Sequence, residues 1–117
     1  MKLWVDAGTD RLVVVADDGS FFTKKVNQKL SVNELEYLAM LEGIKYAKDG
    51  DIIYSDSKLV VNQLLGLFKI NYCHLKKLCE RCTIELKSKK IRIFWIPRKK
   101  NKAGNMVANQ KRKRVKN

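Results

Sequence analysis

The turn Asp17-Asp18-Gly19-Ser20, set between residues 12–16 and 21–26, constrains this chain more than any other feature. The runs on either side are apolar, β-branched and aromatic, which suits a pleated surface, and an Asp-Gly reversal between two such runs closes a hairpin. A further short run at 2–6 comes before them, separated by Ala7-Gly8-Thr9-Asp10, which has turn chemistry of its own. The opening third is therefore expected to be an antiparallel meander of three strands.

Helices dominate the remaining two thirds. Ser31-Val32-Asn33-Glu34 has the spacing of a capping box: the Ser31 hydroxyl serves a free backbone N–H of the first turn, and Glu34 reaches back to the cap. That helix is expected to run to about Lys48, where Asp49-Gly50 stops it, with Glu36 in its second turn. Residues 51–54 read as a fourth strand, and Ser55-Asp56-Ser57 marks a change from strand to helix, so Asp56 sits at a strand's C-terminal end. A helix over 57–65 closes near Gly66 and another starts around Asn71. In that second helix Tyr72, Leu75, Cys79, Cys82 and Leu86 repeat in a three-four rhythm that marks one buried face. Residues 91–96 form a fifth strand ended by Pro97, and a last helix, weakened by Gly104, starts from Asn101. The order implies an α/β fold, a five-stranded mixed sheet with helices packed on its faces. No repeat or linker divides the 117 residues, so one domain is expected.

The charge is uneven. Of a net +13, residues 1–50 hold 7 Lys/Arg against 8 Asp/Glu, and residues 51–117 hold 18 against 4. A basic second half suits a polyanion, since neutralising phosphates releases counterions, and nucleic acid is the default partner. A merely lysine-rich, solvated surface has the same composition. A charge close to the N-terminus and no apolar run near ~18 residues lead to the expectation of a cytoplasmic protein without membrane contact. Cys73, Cys79 and Cys82, an odd number in one stretch, are expected to be reduced.

Three carboxylates stand out within this basic chain. Asp6 ends the first strand, Asp56 ends the fourth, and Glu36 lies early in the first helix. If strands one and four are neighbours, both aspartates share the carboxyl edge of the sheet, where crevices form in α/β folds. Clustered acids repel, and a divalent cation is the natural means of holding them together. Hard oxygen ligands without paired His or Cys favour Mg²⁺ or Mn²⁺ over Zn²⁺, and two such ions ~4 Å apart serve phosphodiester hydrolysis. Taken singly, Asp56 reads equally as a helix cap and Glu36 as an exposed helix residue.

Four segments, in order, resemble the ribonuclease H family. Leu3-Trp4-Val5-Asp6-Ala7-Gly8 is similar to its first strand, although the family usually has Gly where Ala7 stands. Ser31-Val32-Asn33-Glu34-Leu35-Glu36-Tyr37-Leu38-Ala39 is similar to its Thr-Asn-Asn-x-x-Glu-Tyr-x-Ala helix start. Tyr54-Ser55-Asp56-Ser57-Lys58-Leu59-Val60-Val61 resembles its Asp-Ser-x-x-Val segment. Phe94-Trp95-Ile96-Pro97-Arg98-Lys99-Lys100-Asn101 with Gly104-Asn105-Met106-Val107-Ala108 resembles a Trp-Val-Pro-Arg…Asn-x-x-Ala-Asp-x-Leu-Ala ending. The resemblance implies the compact ribonuclease H fold, three antiparallel strands first, over residues 1–110; residues 111–117, rich in Lys and Arg, are expected from their composition to be a disordered basic tail. It implies endonucleolytic hydrolysis of the RNA strand of RNA–DNA hybrids by a two-metal mechanism with two Mg²⁺ or Mn²⁺ ions. Asp6, Glu36, Asp56 and Asn105 become the metal-binding and catalytic positions. Asn33, Ser57, Lys58, Arg98 and Lys99 become substrate contacts, and no obligatory protein partner is implied.

The chain also departs from the family pattern. Asn105 stands where the fourth acidic ligand is usual, and an amide oxygen ligates a cation without bringing charge. The alternative is therefore a lower metal affinity, or a binding protein on the same fold with weakened or lost catalysis. Val32 replaces a groove-reading Asn. Arg98-Lys99-Lys100 occupies the stretch where some relatives carry a His, and the only histidine, His74, reads as a surface or boundary residue. Residues 66–71 are too few for the basic insertion of larger relatives, whose role passes to Lys76, Lys77, Arg98, Lys99, Lys100 and the tail from Lys111 to Arg114. Cys79-x-x-Cys82 lacks a second ligand pair and reads as packing. Integrase- and resolvase-like enzymes also place carboxylates on such a sheet, but the Asp-Ser and Glu-Tyr motifs favour ribonuclease H.

Overall fold

Alternation over Leu3-Trp4-Val5 of the central strand seats the sheet, with Leu3 and Val5 fully buried and Trp4 between them turned the other way. The computed structural model describes residues 1–26 and 29–108. The basic tail 111–117 lies outside them. Strands β1 (Lys2–Ala7), β2 (Arg11–Ala16) and β3 (Phe21–Lys25) form the expected meander. β4 (Ile52–Ser55) and β5 (Arg92–Trp95) complete one sheet of order β3-β2-β1-β4-β5. β1 pairs antiparallel to β2 and parallel to β4, with Leu3 opposite Ala16 and Ile53, so β1 and β4 end at the same edge. β5 runs parallel to β4.

Helices α1 (Val32–Tyr46), α2 (Lys58–Leu64) and α3 (Cys73–Ser88) cover one face. Ser31 accepts from the Glu34 N–H at 3.2 Å while Glu34 accepts from the Ser31 N–H at 3.3 Å, so the capping box forms as its sequence requires. α1 lies close to the sheet because Gly43 faces it: a Cβ there would stand 2.5 Å from Val5 Cγ1. Any side chain at this position lifts the helix off the strand that carries Asp6, an overpacking cost of about 1–3 kcal/mol. Leu3, Val5 and Ile53 pack with Leu35, Met40, Ile44, Leu75 and Cys82 in the main core. Although β3 is exposed along its length, it is held to α1 by Phe22 stacked on Tyr46 with centroids 3.8 Å apart and by Lys24 paired with Glu42 at 3.2 Å.

The opposite face is covered by a helical run at residues 102–108, whose Ala103 and Val107 pack on Val13 beside Trp4 and Val15. Helices on both faces, as expected, complete the fold. One local expectation is corrected. Tyr72 belongs to no buried face; it is the N-cap of α3 and 62% exposed, because the helix starts at Cys73, and Leu75, Cys79, Cys82 and Leu86 carry the packing. A 3₁₀ turn, Arg98–Lys100, joins the end of the fifth strand to the last helical run. No helix among the described residues is long and apolar enough to cross a membrane.

Candidate active site

Parallel pairing of β1 with β4 brings Asp6 and Asp56 to one edge of the sheet, and the second turn of α1 delivers Glu36 to the same place. One carboxylate oxygen from each of the three lies within 4.8 Å of the others. Asp6 is fully buried. Both of its carboxylate oxygens, and Oε2 of Glu36, are buried without a hydrogen-bond partner. Buried polar atoms are rarely left so, because each gives up its water contacts for nothing. Three at one point mark a place suited to a positively charged ligand.

Protonation behaviour obeys the same physics. Burial, then the charge of Asp56, pushes the Asp6 carboxyl up to about 6, with the nearby Ala7 N–H and then Arg98 partly offsetting the rise. Burial, then Asp6 and Asp56, pushes Glu36 up to about 8, again partly offset by Arg98. Without a cation, then, the cluster does not carry its full negative charge near neutrality. The buried oxygens without a well-formed hydrogen bond, their mutual proximity and their hard-ligand character suit a metal cation, which Asp6, Glu36 and Asp56 could hold.

The alternative role of Asp56 as a helix cap is excluded. Ser57 is the N-cap of α2 and accepts from the Val60 N–H at 3.2 Å, which leaves the Asp56 side chain free to turn toward Asp6. Glu36 is likewise drawn into the cluster rather than left in solvent. Around the carboxylates the structure places a basic and aromatic rim. Trp95 donates from Nε1 to the Asp56 carbonyl at 3.0 Å, and Lys58 Nζ sits 4.7 Å from the Trp95 ring centroid, a cation–π contact. Arg98 is exposed on the 3₁₀ turn yet near enough for its charge to act on Asp6 and Glu36. Lys99 is exposed on the 3₁₀ turn, and Asn33 is half-buried in the first turn of α1; no described contact joins either to the carboxylates.

Asn105 is exposed in the last helical run, donating its backbone N–H to the Asn101 carbonyl at 3.0 Å. Its neighbour Gly104 faces the site instead: a Cβ at Gly104 would lie 3.4 Å from Asp56 Oδ2 and 3.5 Å from Asp6 Oδ2. The glycine that weakens this helix in sequence terms thus lets its backbone approach two carboxylates. Two contributors escaped the sequence, Asn101 and Trp95, both of which bond to Asp56. The sole signal was their place inside the Trp…Asn-x-x segment. His74 stands away from the cluster, 3.9 Å from Glu34, as a surface residue. Cys79 and Cys82 are buried in packing, and burial pushes the Cys82 thiol up to about 12, which keeps it neutral.

Comparison with known proteins matches residues 6–111 to the family described as "Reverse transcriptase-like". An Enterococcus faecalis protein named "Putative hydrolase EbsB" is 27% identical, the match covering 94% of this chain and 92% of that one. Ribonuclease H1 from the archaeon Halobacterium salinarum superposes with a TM-score of 0.76 at 21% identity, covering 91% of this chain and 92% of that one. LC11-RNase H1, solved in complex with an RNA/DNA hybrid, gives a TM-score of 0.75 at 18% identity over 91% of each chain. The N-terminal ribonuclease H domain of a Mycobacterium tuberculosis protein gives 0.71 at 21% identity, covering 93% and 96%.

Proposed function

The chain belongs to the reverse transcriptase-like family and has the ribonuclease H fold, and on that premise we propose that it is a divalent-cation-dependent endonuclease acting on the RNA strand of RNA–DNA hybrids. The observation that carries this is the trio Asp6, Glu36 and Asp56, gathered from three elements of a +13 chain with three oxygens buried and unsatisfied. A basic protein that only attracts a polyanion has no structural use for such a cluster of acids. In a cation-holding nuclease both features have a purpose.

Asp6, Glu36 and Asp56 would hold Mg²⁺ or Mn²⁺, with the amide of Asn105 as a further donor and two ions as the full complement. Bound there, the metal supplies Lewis acidity beside a phosphodiester and a more acidic water. The protein's own residues handle the substrate. Arg98, Lys99 and Lys58 offer cations to backbone phosphates, and the Trp95 ring keeps Lys58 at the rim. Asn33 and Ser57 are proposed to lie along the hybrid. The Ser57 hydroxyl accepts from the Val60 N–H and keeps its own proton for donation. A-form-like duplexes are recognised by shape, phosphates and 2′-hydroxyls, which suits such a rim. The neighbour LC11-RNase H1, solved with an RNA/DNA hybrid, supports the choice of substrate.

One observation favours a second version of this function. Asn105 is exposed and uncharged, so the site has three acids in place of four and binds at least one ion more weakly. A hybrid-binding protein with little turnover is the limit of that trend. Incubating the chain with end-labelled RNA–DNA hybrid, double-stranded RNA, double-stranded DNA and branched DNA, each with Mg²⁺ or Mn²⁺, separates the cases. Metal-dependent cuts confined to the RNA of the hybrid are expected. Binding without cuts at any metal concentration selects the second version, and cutting of branched DNA alone refutes both.

A further inference from the structure

We propose that Asn101 is a positioning residue for the metal site, locking one oxygen of Asp56 and the approach of the last helix at once; this rests on the nuclease function above. Its side chain is fully buried and every polar atom on it is used. Nδ2 donates to the Val5 carbonyl at 2.9 Å and to Asp56 Oδ2 at 3.0 Å, while Oδ1 accepts from the Ala103 N–H at 3.1 Å. One amide therefore ties together β1 at the residue before Asp6, the Asp56 carboxylate and the start of the last helical run.

Each bond has a separate consequence. The bond to Val5 fixes the strand immediately before Asp6. The bond to Ala103 caps the helix and brings Gly104 against Asp6 and Asp56. The bond to Asp56 fixes which carboxylate oxygen is occupied and leaves the other for the shared space. A hydrogen bond of this kind orients a ligand and holds it in its charged form, and loss of such supports commonly weakens metal affinity by roughly 10-fold or more. A helix cap alone would need only a serine, and a brace for β1 alone would not need Asp56. The three-way geometry calls for an asparagine, which is long enough to reach both acceptors and has two N–H donors and one acceptor.

The discriminating substitution is Asn101→Ser, which preserves a good helix cap but is too short to reach Asp56 and Val5. Calorimetric titration of the full chain with Mn²⁺ is expected to show affinity weakened roughly 10-fold, with the far-ultraviolet spectrum unchanged. A serine variant that folds and binds Mn²⁺ like wild type overturns the proposal. A second measurement needs no change at Asn101. In the nuclear magnetic resonance spectrum of Asp56→Ala, one of the two Asn101 amide protons is expected to move while its partner on Val5 stays. If neither moves, the proposal is overturned. Wild type that binds Mn²⁺ and loses affinity on Asn101→Ser, yet cuts no hybrid, sinks the proposed activity and upholds Asn101. Cleavage with Asn101→Ser affinity intact does the reverse, and wild type that binds no Mn²⁺ overturns both.

Discussion

The two ends of β4, with β1 paired beside it, carry buried carboxylates that have been treated in opposite ways. Asp51, just before the strand, accepts from the Met1 amino group at 2.9 Å and from the Lys48 N–H at 2.8 Å. Burial alone would raise its pKa, but these donors outweigh it and hold the carboxyl below its ordinary range. At the other end, burial and then the charge of Asp56 push Asp6 up to about 6, and both oxygens of Asp6 and Oε2 of Glu36 are buried without a well-formed hydrogen bond. The same strand pair thus has a settled acid at one end and an unsettled cluster at the other. The fold is able to satisfy a buried carboxylate, so leaving three oxygens bare points to a ligand rather than to poor packing.

The sharpest way to break that contrast is to neutralise one acid from each end. Asp6→Asn is expected to lower hybrid cleavage, measured as initial rates, by roughly 100-fold or more, about 3 kcal/mol of transition-state stabilisation. Asp51→Ala is expected to leave the rate of the folded enzyme unchanged while costing about 2 kcal/mol in denaturant unfolding, since it removes charged hydrogen bonds. If Asp51→Ala abolished cleavage in a folded protein, the division between the two ends would be wrong.

Proton linkage separates the ends next. Asp6 and Glu36 have raised pKa values in the folded state, so between the unfolded values near 4 and the folded values of about 6 and about 8 the native chain holds more protons than the unfolded one. Metal-free stability must then fall as pH rises from about 5 to about 8. Asp51, with a depressed pKa, acts in reverse: its stabilisation is present above the unfolded value and is lost as pH drops through its folded value. Melting curves between pH 3 and 9 in chelator should show a maximum on the acid side of neutrality. A flat profile from pH 5 to 8 would refute the unsettled cluster. Asn105→Asp is expected to produce a smaller effect, raising activity several-fold at limiting Mg²⁺ by adding a charge to the ligand set; no gain at any Mg²⁺ or Mn²⁺ concentration removes Asn105 from the site. Smallest of all, Arg98→Ala should flatten the salt dependence of hybrid binding by about one unit of slope, a single lost phosphate contact.

Much of this was legible in the sequence because it depends on local chemistry. The Asp-Gly turn announces its hairpin, Ser31 and Glu34 announce their helix, and strand ends bring Asp6 and Asp56 together once β1 and β4 are neighbours. What was hidden depends on contacts across long stretches of chain. Asn101 reaches Val5 from 96 residues away, and nothing in the local pattern of either residue shows it. Gly104 read only as a helix breaker, since its value lies in the space beside two carboxylates contributed by β1 and the end of β4. Tyr72 fitted a helical period but fell one residue outside the helix, where periodicity cannot tell a cap from a core position.

The claim that the unsettled end is prepared for a cation is tested most directly by thermal unfolding at pH 7.5, with and without Mg²⁺ or Mn²⁺, of wild type and Asp6→Asn. Wild type is expected to melt roughly 5 °C or more higher with metal well above its dissociation constant. Asp6→Asn should match or exceed metal-free wild type and gain nothing from the ion. A wild-type Tm that ignores both metals, or a variant that gains as much as wild type, would contradict the account.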